Sequence, residues 1–153
     1  VRIFGTPEGD AFLRDTIDRK VKTFTDLGVP AMLVNIQCHS VLDMGSNQVA
    51  AAINSEKRIG HVNQVVADYV AQHPQVGLID MHSFLCSKGY TNKVDGITLR
   101  RDGLHFTPEG SAYVWKWLIP QAKAFLQKGN ESPSAAPKTP GTKDQPTKTP
   151  SPS

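Results

Sequence analysis

The chain has 153 residues, 39% of them hydrophobic, and a formal net charge of +3. Without its Pro/Thr/Lys/Ser-rich tail it is long enough for one domain with one core, and too short for two. Its basic residues are scattered, which argues against a nucleic-acid face, and no apolar run approaches the ~20 residues a membrane helix needs.

The chain opens at Val1, with neither an initiator Met nor a signal-peptide pattern, and reads as a piece of a longer polypeptide. Residues 10–27 are predicted as an amphipathic helix. Leu13, Ile17, Val21 and Phe24 recur at spacings of four, four and three, with Gly28 and Pro30 as the stop. The apolar run at 31–36 is predicted as a buried strand of a parallel sheet. A loop at 37–48 carries Gly45, Ser46 and Asn47. A second helix is expected over 50–72, with Ile59, Val62, Val66, Tyr69 and Val70 on one face. Residues 76–80 read as a second buried strand, and 81–101 as a long irregular connection. Loops of that length in compact domains are usually functional. A last helix is expected over 108–127, with Thr107 as N-cap, Pro108 at its first position and Glu109 near its positive end. From Gly129 the composition turns to Pro, Thr, Lys, Ser and Ala, so 129–153 is expected to be disordered and the domain to occupy 1–128. Alternating helix and strand is the order of an α/β fold with a parallel sheet.

The chemistry concentrates in Asp102-Gly103-Leu104-His105, which leads straight into the last helix. A neutral imidazole can take a proton from a nucleophile, and a carboxylate beside it fixes the tautomer and stabilises the imidazolium. By itself, Asp-Xaa-Xaa-His is also what a capped turn with a surface histidine looks like. Cys38 and Cys86 each follow a predicted strand by a few residues. They either share one edge of the sheet and form a disulfide, which points to an oxidising compartment, or remain two free buried thiols. His39, His82 and the two cysteines are a metal-site candidate, but without any standard zinc spacing. Asp80, at a strand end, is better suited to bonding loop amides than to acting as a base. Ser40, Ser46 and Ser83 are the substitute nucleophiles to weigh. Of the two tryptophans, Trp117 is expected in the core. Arg100 and Arg101 can meet an anionic substrate, though a solvated loop edge is the simpler expectation.

The run Asp102-Gly103-Leu104-His105-Phe106-Thr107-Pro108-Glu109-Gly110 resembles the final block of the SGNH (GDSL-type) hydrolases and acyltransferases. Gly5-Thr6-Pro7-Glu8, Arg58 through Asn63, and Val76-Gly77-Leu78-Ile79-Asp80 fall where such domains have comparable stretches. The approach Leu99-Arg100-Arg101-Asp102-Gly103 and the Cys38/Cys86 pairing are most similar to the SGNH domain fused to membrane acyltransferase type 3 proteins, which act on cell-envelope glycans. The resemblance implies a three-layer α/β/α, flavodoxin-like fold and an extracytoplasmic location. It implies a Ser-His-Asp triad in which His105 is the base and Asp102 its orienting carboxylate. The partners it implies are an acyl donor and a glycan acceptor, with no metal or dissociable cofactor.

One departure is as informative as the match. The family's nucleophile lies in an early Gly-Asp-Ser block, but here Gly9-Asp10 is followed by Ala11. No Gly-Xaa-Asn-Asp block supplies oxyanion donors. Gly45-Ser46-Asn47 is the nearest sequence, and it lies on the wrong side of the 31–36 strand. The chain therefore reads as the C-terminal part of such a domain, truncated at its N-terminus, with the nucleophile upstream and one sheet edge left apolar and exposed. A non-catalytic envelope-binding domain with the same fold is the alternative.

Overall fold

The computed structural model describes residues 4–41 and 51–130. The Gly45-Ser46-Asn47 stretch and the tail from 131 lie outside the described residues. The first helix, α1 (Pro7–Thr25), starts three residues earlier than the apolar pattern suggests. Thr6 is the reason: its side chain accepts from the Gly9 amide, and Pro7 supplies a helix-ready φ at the first position. Gly28, at φ +72°, turns the chain out of the helix.

The strand β1 (Ala31–Val34) pairs in parallel with β2 (Val76–Ile79), in the register Ala31 to Val76 through Val34 to Ile79. This is the predicted pairing. Both strands are shorter than the apolar runs that announced them. One more rung is made, Asn35 N–H to Ile79 O at 3.2 Å. Then Asn63 intervenes: its side chain accepts from Ile36 N and donates to Ile36 O, both at 2.7 Å, and so ends the strand. Between the strands runs α2 (Glu56–Gln72), capped by Ser55 and burying Ile59, Val62, Val65, Val66 and Tyr69.

The expectation of an irregular 81–101 connection is wrong. Asp80 caps a short helix, α3 (Met81–Cys86), by accepting from the Ser83 amide. An antiparallel hairpin follows, β3 (Lys93–Val94) with β4 (Ile97–Thr98). Its turn is Asp95-Gly96, both at positive φ, a two-residue hairpin signal in its own right. The last helix, α4 (Pro108–Asn130), runs past the proposed boundary at 128. Thr107 fixes its start, accepting from Gly110 N at 2.9 Å and donating to Thr98 O at 2.7 Å.

Two apolar clusters hold these elements. Val21, Ala31, Tyr69 and Val76 join α1, β1, α2 and β2. Cys38, Leu85, Cys86, Leu99 and Val114 join the segment after β1 to α3, the residue after β4 and α4. Gly77 lies under the Phe125 ring, where any side chain would collide, so α4 can approach β2 closely. The sequence predicted one exposed apolar sheet edge. Among the described residues β1 has a strand on one side only, and Val34 and Ile36, in and just beyond it, are each 41% exposed. No described helix is long and apolar enough to cross a membrane.

Candidate active site

The Asp102/His105 turn stands on a small backbone ladder. Arg100 bridges Phe106 in antiparallel fashion, Arg101 N donates to His105 O (3.1 Å), and Thr107 N donates to Leu99 O (2.9 Å). Gly103, at φ +82°, reverses the chain at the tip. Asp102 organises the interior of the turn. Its Oδ1 accepts from the amides of Leu104 (3.0 Å) and His105 (2.8 Å), and its Oδ2 lies 2.7 Å from His105 Nδ1. The His105 ring and those two amides hold the Asp102 carboxyl well below the usual carboxylate range. A carboxylate acceptor at Nδ1 puts the ring proton there, which leaves Nε2 free to accept. The two side chains are 77% and 53% exposed.

The turn lies beyond the carboxyl end of β1, tied there by Ser40 N–H donating to Gly103 O at 3.1 Å. Its outer side opens on a groove of about 550 Å³ lined by Arg101, Asp102, His105, Phe106, Pro108 and Ser111. A comparable groove of about 590 Å³ sits at the amino ends of the strands, around Pro30, Pro74 and Phe125. Lys128 is its only titratable lining residue, so it offers no acid–base pair.

Among the described residues, no hydroxyl bonds His105. Ser83 donates to Asp80 Oδ2 at 2.6 Å, Ser40 touches the turn through its backbone, and Ser46 lies outside the described residues. Ser111 in the groove was not singled out from the sequence. Its only signal was its place one helical turn after Pro108, on the face Pro108 presents. Asp80 bonds loop groups as expected, accepting from Ser83 N and Asn35 Nδ2. Burial pushes its carboxyl upward, but the bonds from Ser83 and Asn35 outweigh this and leave it lowered.

Cys38 and Cys86 form a disulfide with a Cα–Cα separation of 5.8 Å, which removes both sulfurs from the metal reading. Of the other two candidates, the His39 ring is bonded to carbonyls, while His82 Nε2 is buried without a hydrogen-bond partner and only approaches a carboxylate. His39 faces the Gln37 and Ile53 carbonyls, and His82 Nε2 is 3.5 Å from Glu56 Oε2. Trp117 stacks on Phe84 at 4.0 Å, in keeping with a core role, while Trp115 is exposed.

Arg100 corrects the expectation of a solvated loop edge. It is 0% exposed, with Nη1 donating to Thr91 O at 2.9 Å and the guanidinium 5.4 and 5.3 Å from the Tyr90 and Phe106 ring centres. Arg101 is exposed, and the two neighbours therefore separate into an interior brace and a groove-lining cation. The sequence also gave no warning of a second histidine–carboxylate pair. His61 Nε2 lies 2.9 Å from both Asp10 oxygens and ties α1 to α2.

Comparison with curated proteins and with solved structures found no match. Residues 15–118, more than half of the chain, match the SGNH domain (fused to AT3 domains). That span takes in the strand pair, the disulfide and the whole Asp102/His105 turn, and the chain belongs to this SGNH family of hydrolase- and acyltransferase-type domains.

Proposed function

We propose that this chain supplies the base half of a serine esterase or O-acyltransferase acting on acyl esters of cell-envelope glycans. His105 Nε2 deprotonates a serine carried by an upstream part of the same domain. Asp102 holds the ring in the Nδ1–H tautomer and stabilises the imidazolium. The serine attacks the acyl carbonyl, His105 returns the proton to the leaving group, and the acyl-enzyme then passes its acyl group to water or to a glycan hydroxyl. The single observation that carries this reading is the 2.7 Å contact of Asp102 with His105 Nδ1, on a histidine that lines an open groove.

The upstream part would complete a three-layer α/β/α sheet at the free edge of β1 and bring the oxyanion donors with it. The exposed Val34 and Ile36 support that placement. The disulfide supports an extracytoplasmic site of action. The partners are an acyl donor and a glycan acceptor, with a membrane acyltransferase domain as the tether.

The test is hydrolysis of p-nitrophenyl acetate. The chain alone is expected to be inactive. A longer polypeptide bearing an upstream Gly-Asp-Ser block is expected to turn over, to lose turnover in His105→Ala, and to keep a residue of it in Asp102→Asn. Turnover by the chain alone that vanishes in His105→Ala would show a nucleophile within it and overturn the half-site reading. Inactivity of the longer polypeptide would favour a binding domain.

A further inference from the structure

The segment 38–41, just after β1, is fixed at each of its four residues, to three different parts of the fold. Cys38 is joined to Cys86 at the end of α3 by the disulfide, and its amide points at the Cys86 sulfur (2.8 Å). His39 Nε2 lies 2.9 Å from Ile53 O. Val41 is clamped on both backbone groups by the Asn54 side chain, N–H to Oδ1 at 2.8 Å and Nδ2 to O at 3.1 Å. Ser40 alone is turned the other way, and its amide bonds Gly103 O at the tip of the Asp102/His105 turn. The contact is close: a Cβ on Gly103 would overlap the Ser40 carbonyl.

From this arrangement we infer that segment 38–41 is a ledge that positions His105, with the Cys38–Cys86 bridge, His39 and Asn54 as its fixings and Ser40 as its contact. The need for it follows from exposure. The Asp102/His105 pair is open to water, which competes for every hydrogen bond it makes. Its own ladder holds only the base of the turn, at 99–101 and 105–107. The tip is bonded to the rest of the fold through Gly103 and Ser40. A disulfide two residues from that contact limits how far the ledge can drift. The inference gives the positioning of the site whose role is proposed above, and it rests on that reading only for the word site.

The test is nuclear magnetic resonance on the ¹⁵N-labelled chain, in the parent, in Asn54→Ala and in the double variant Cys38→Ser/Cys86→Ser. Two signals are read. One is amide hydrogen exchange at Leu104 and His105, whose N–H groups bond Asp102, relative to Val66 in the core of α2. The other is the ring ¹⁵N pattern of His105 at alkaline pH, which reports the protonated nitrogen. Both variants are expected to lose at least tenfold of the Leu104 and His105 protection relative to Val66. The His105 ring is expected to move from the Nδ1–H form toward a mixture. A loss of general stability alone would lower Val66 in step and leave the ring pattern unchanged. Folded variants with unchanged relative protection and an unchanged ring pattern would overturn the inference. If the double cysteine variant does not fold, Asn54→Ala, which keeps the disulfide and every residue of the turn, decides it. Neither signal requires turnover, so inactivity of any longer polypeptide leaves this test standing.

Discussion

Replacing Arg100 by methionine should leave the protein at least as stable as the parent. The side chain is fully buried, and no carboxylate among the described residues pairs with it. It donates one bond, to Thr91 O, while Nε and Nη2 have no acceptor. Burial pushes the guanidinium pKa down, with Tyr90 pulling against it. A charged hydrogen bond contributes about 1.5–3 kcal/mol, and two ring contacts about 0.5–2 kcal/mol each. Against them stands the cost of burying an unpaired ion, several kcal/mol after relaxation, with roughly 1–3 kcal/mol for each unsatisfied donor. The opposing sums are of one size, and methionine removes both while still filling the slot between Tyr90 and Phe106. Arg100→Ala should behave differently, because it empties the slot, and is expected to cost about 2–4 kcal/mol. Urea unfolding of the three proteins separates the cases. An Arg100→Met variant destabilised as far as Arg100→Ala would refute the reasoning, since that loss would mean the bonds of the guanidinium outweigh the cost of burying it.

Thiol titration of unreduced, denatured protein should find no free cysteine, and the double Cys→Ser variant should lose on the order of 4 kcal/mol, the chain-entropy value for a bridge spanning 48 residues. Asp10 and Asp102 both titrate below the usual carboxylate value, Asp10 chiefly through the Gly5 amide and Asp102 chiefly through the His105 ring. Their contribution to stability is therefore full above the unfolded carboxyl pKa of about 4 and is lost as pH falls through the lower folded values. The melting difference between the parent and Asp10→Asn/Asp102→Asn should hold from pH 7 down to about pH 4 and shrink on further acidification, and a difference independent of pH throughout would contradict it. Gly110→Ala drives a methyl into the Leu99 backbone and should destabilise by about 1–3 kcal/mol, read as a lower urea midpoint.

What the sequence made legible was what periodicity and punctuation encode. The apolar spacing in α1 and α2 and the two buried runs announced the helices and the parallel pair. The Thr107-Pro108-Glu109 signature marked the start of α4 to the residue. The Asp102/His105 pair was legible because both partners lie within one turn, so that three residues of spacing already imply contact. Pairs joined by the fold were not legible. Asp10 and His61 are 51 positions apart, and nothing local in either suggests the other. Arg100 was misjudged for a related reason: a charged doublet in a loop reads as solvated, and only the tertiary arrangement of Tyr90, Thr91 and Phe106 hides one member and exposes the other. The 81–101 region failed through unread turn chemistry, with Asp80 as a cap and Asp95-Gly96 as a hairpin turn.

The same distinction bears on how the site divides. A base and its orienting carboxylate can be encoded within four residues, because a turn with a glycine at positive φ brings them together without help from distant sequence. On the proposed reading the nucleophile meets that base from another element, and only the fold can bring the two within hydrogen-bond reach. In this chain the local half is complete down to the two amides that bind Asp102, and the ledge at 38–41 ties it to the sheet. The groove beside His105 is lined on one side by the turn and on the other by the first turn of α4, and no hydroxyl among the described residues bonds the His105 ring. An arrangement this fixed around an exposed imidazole is more than a surface histidine requires, and it is what the general base proposed above would need. On the proposed reading, the strand that carries the serine would run along the free edge of β1.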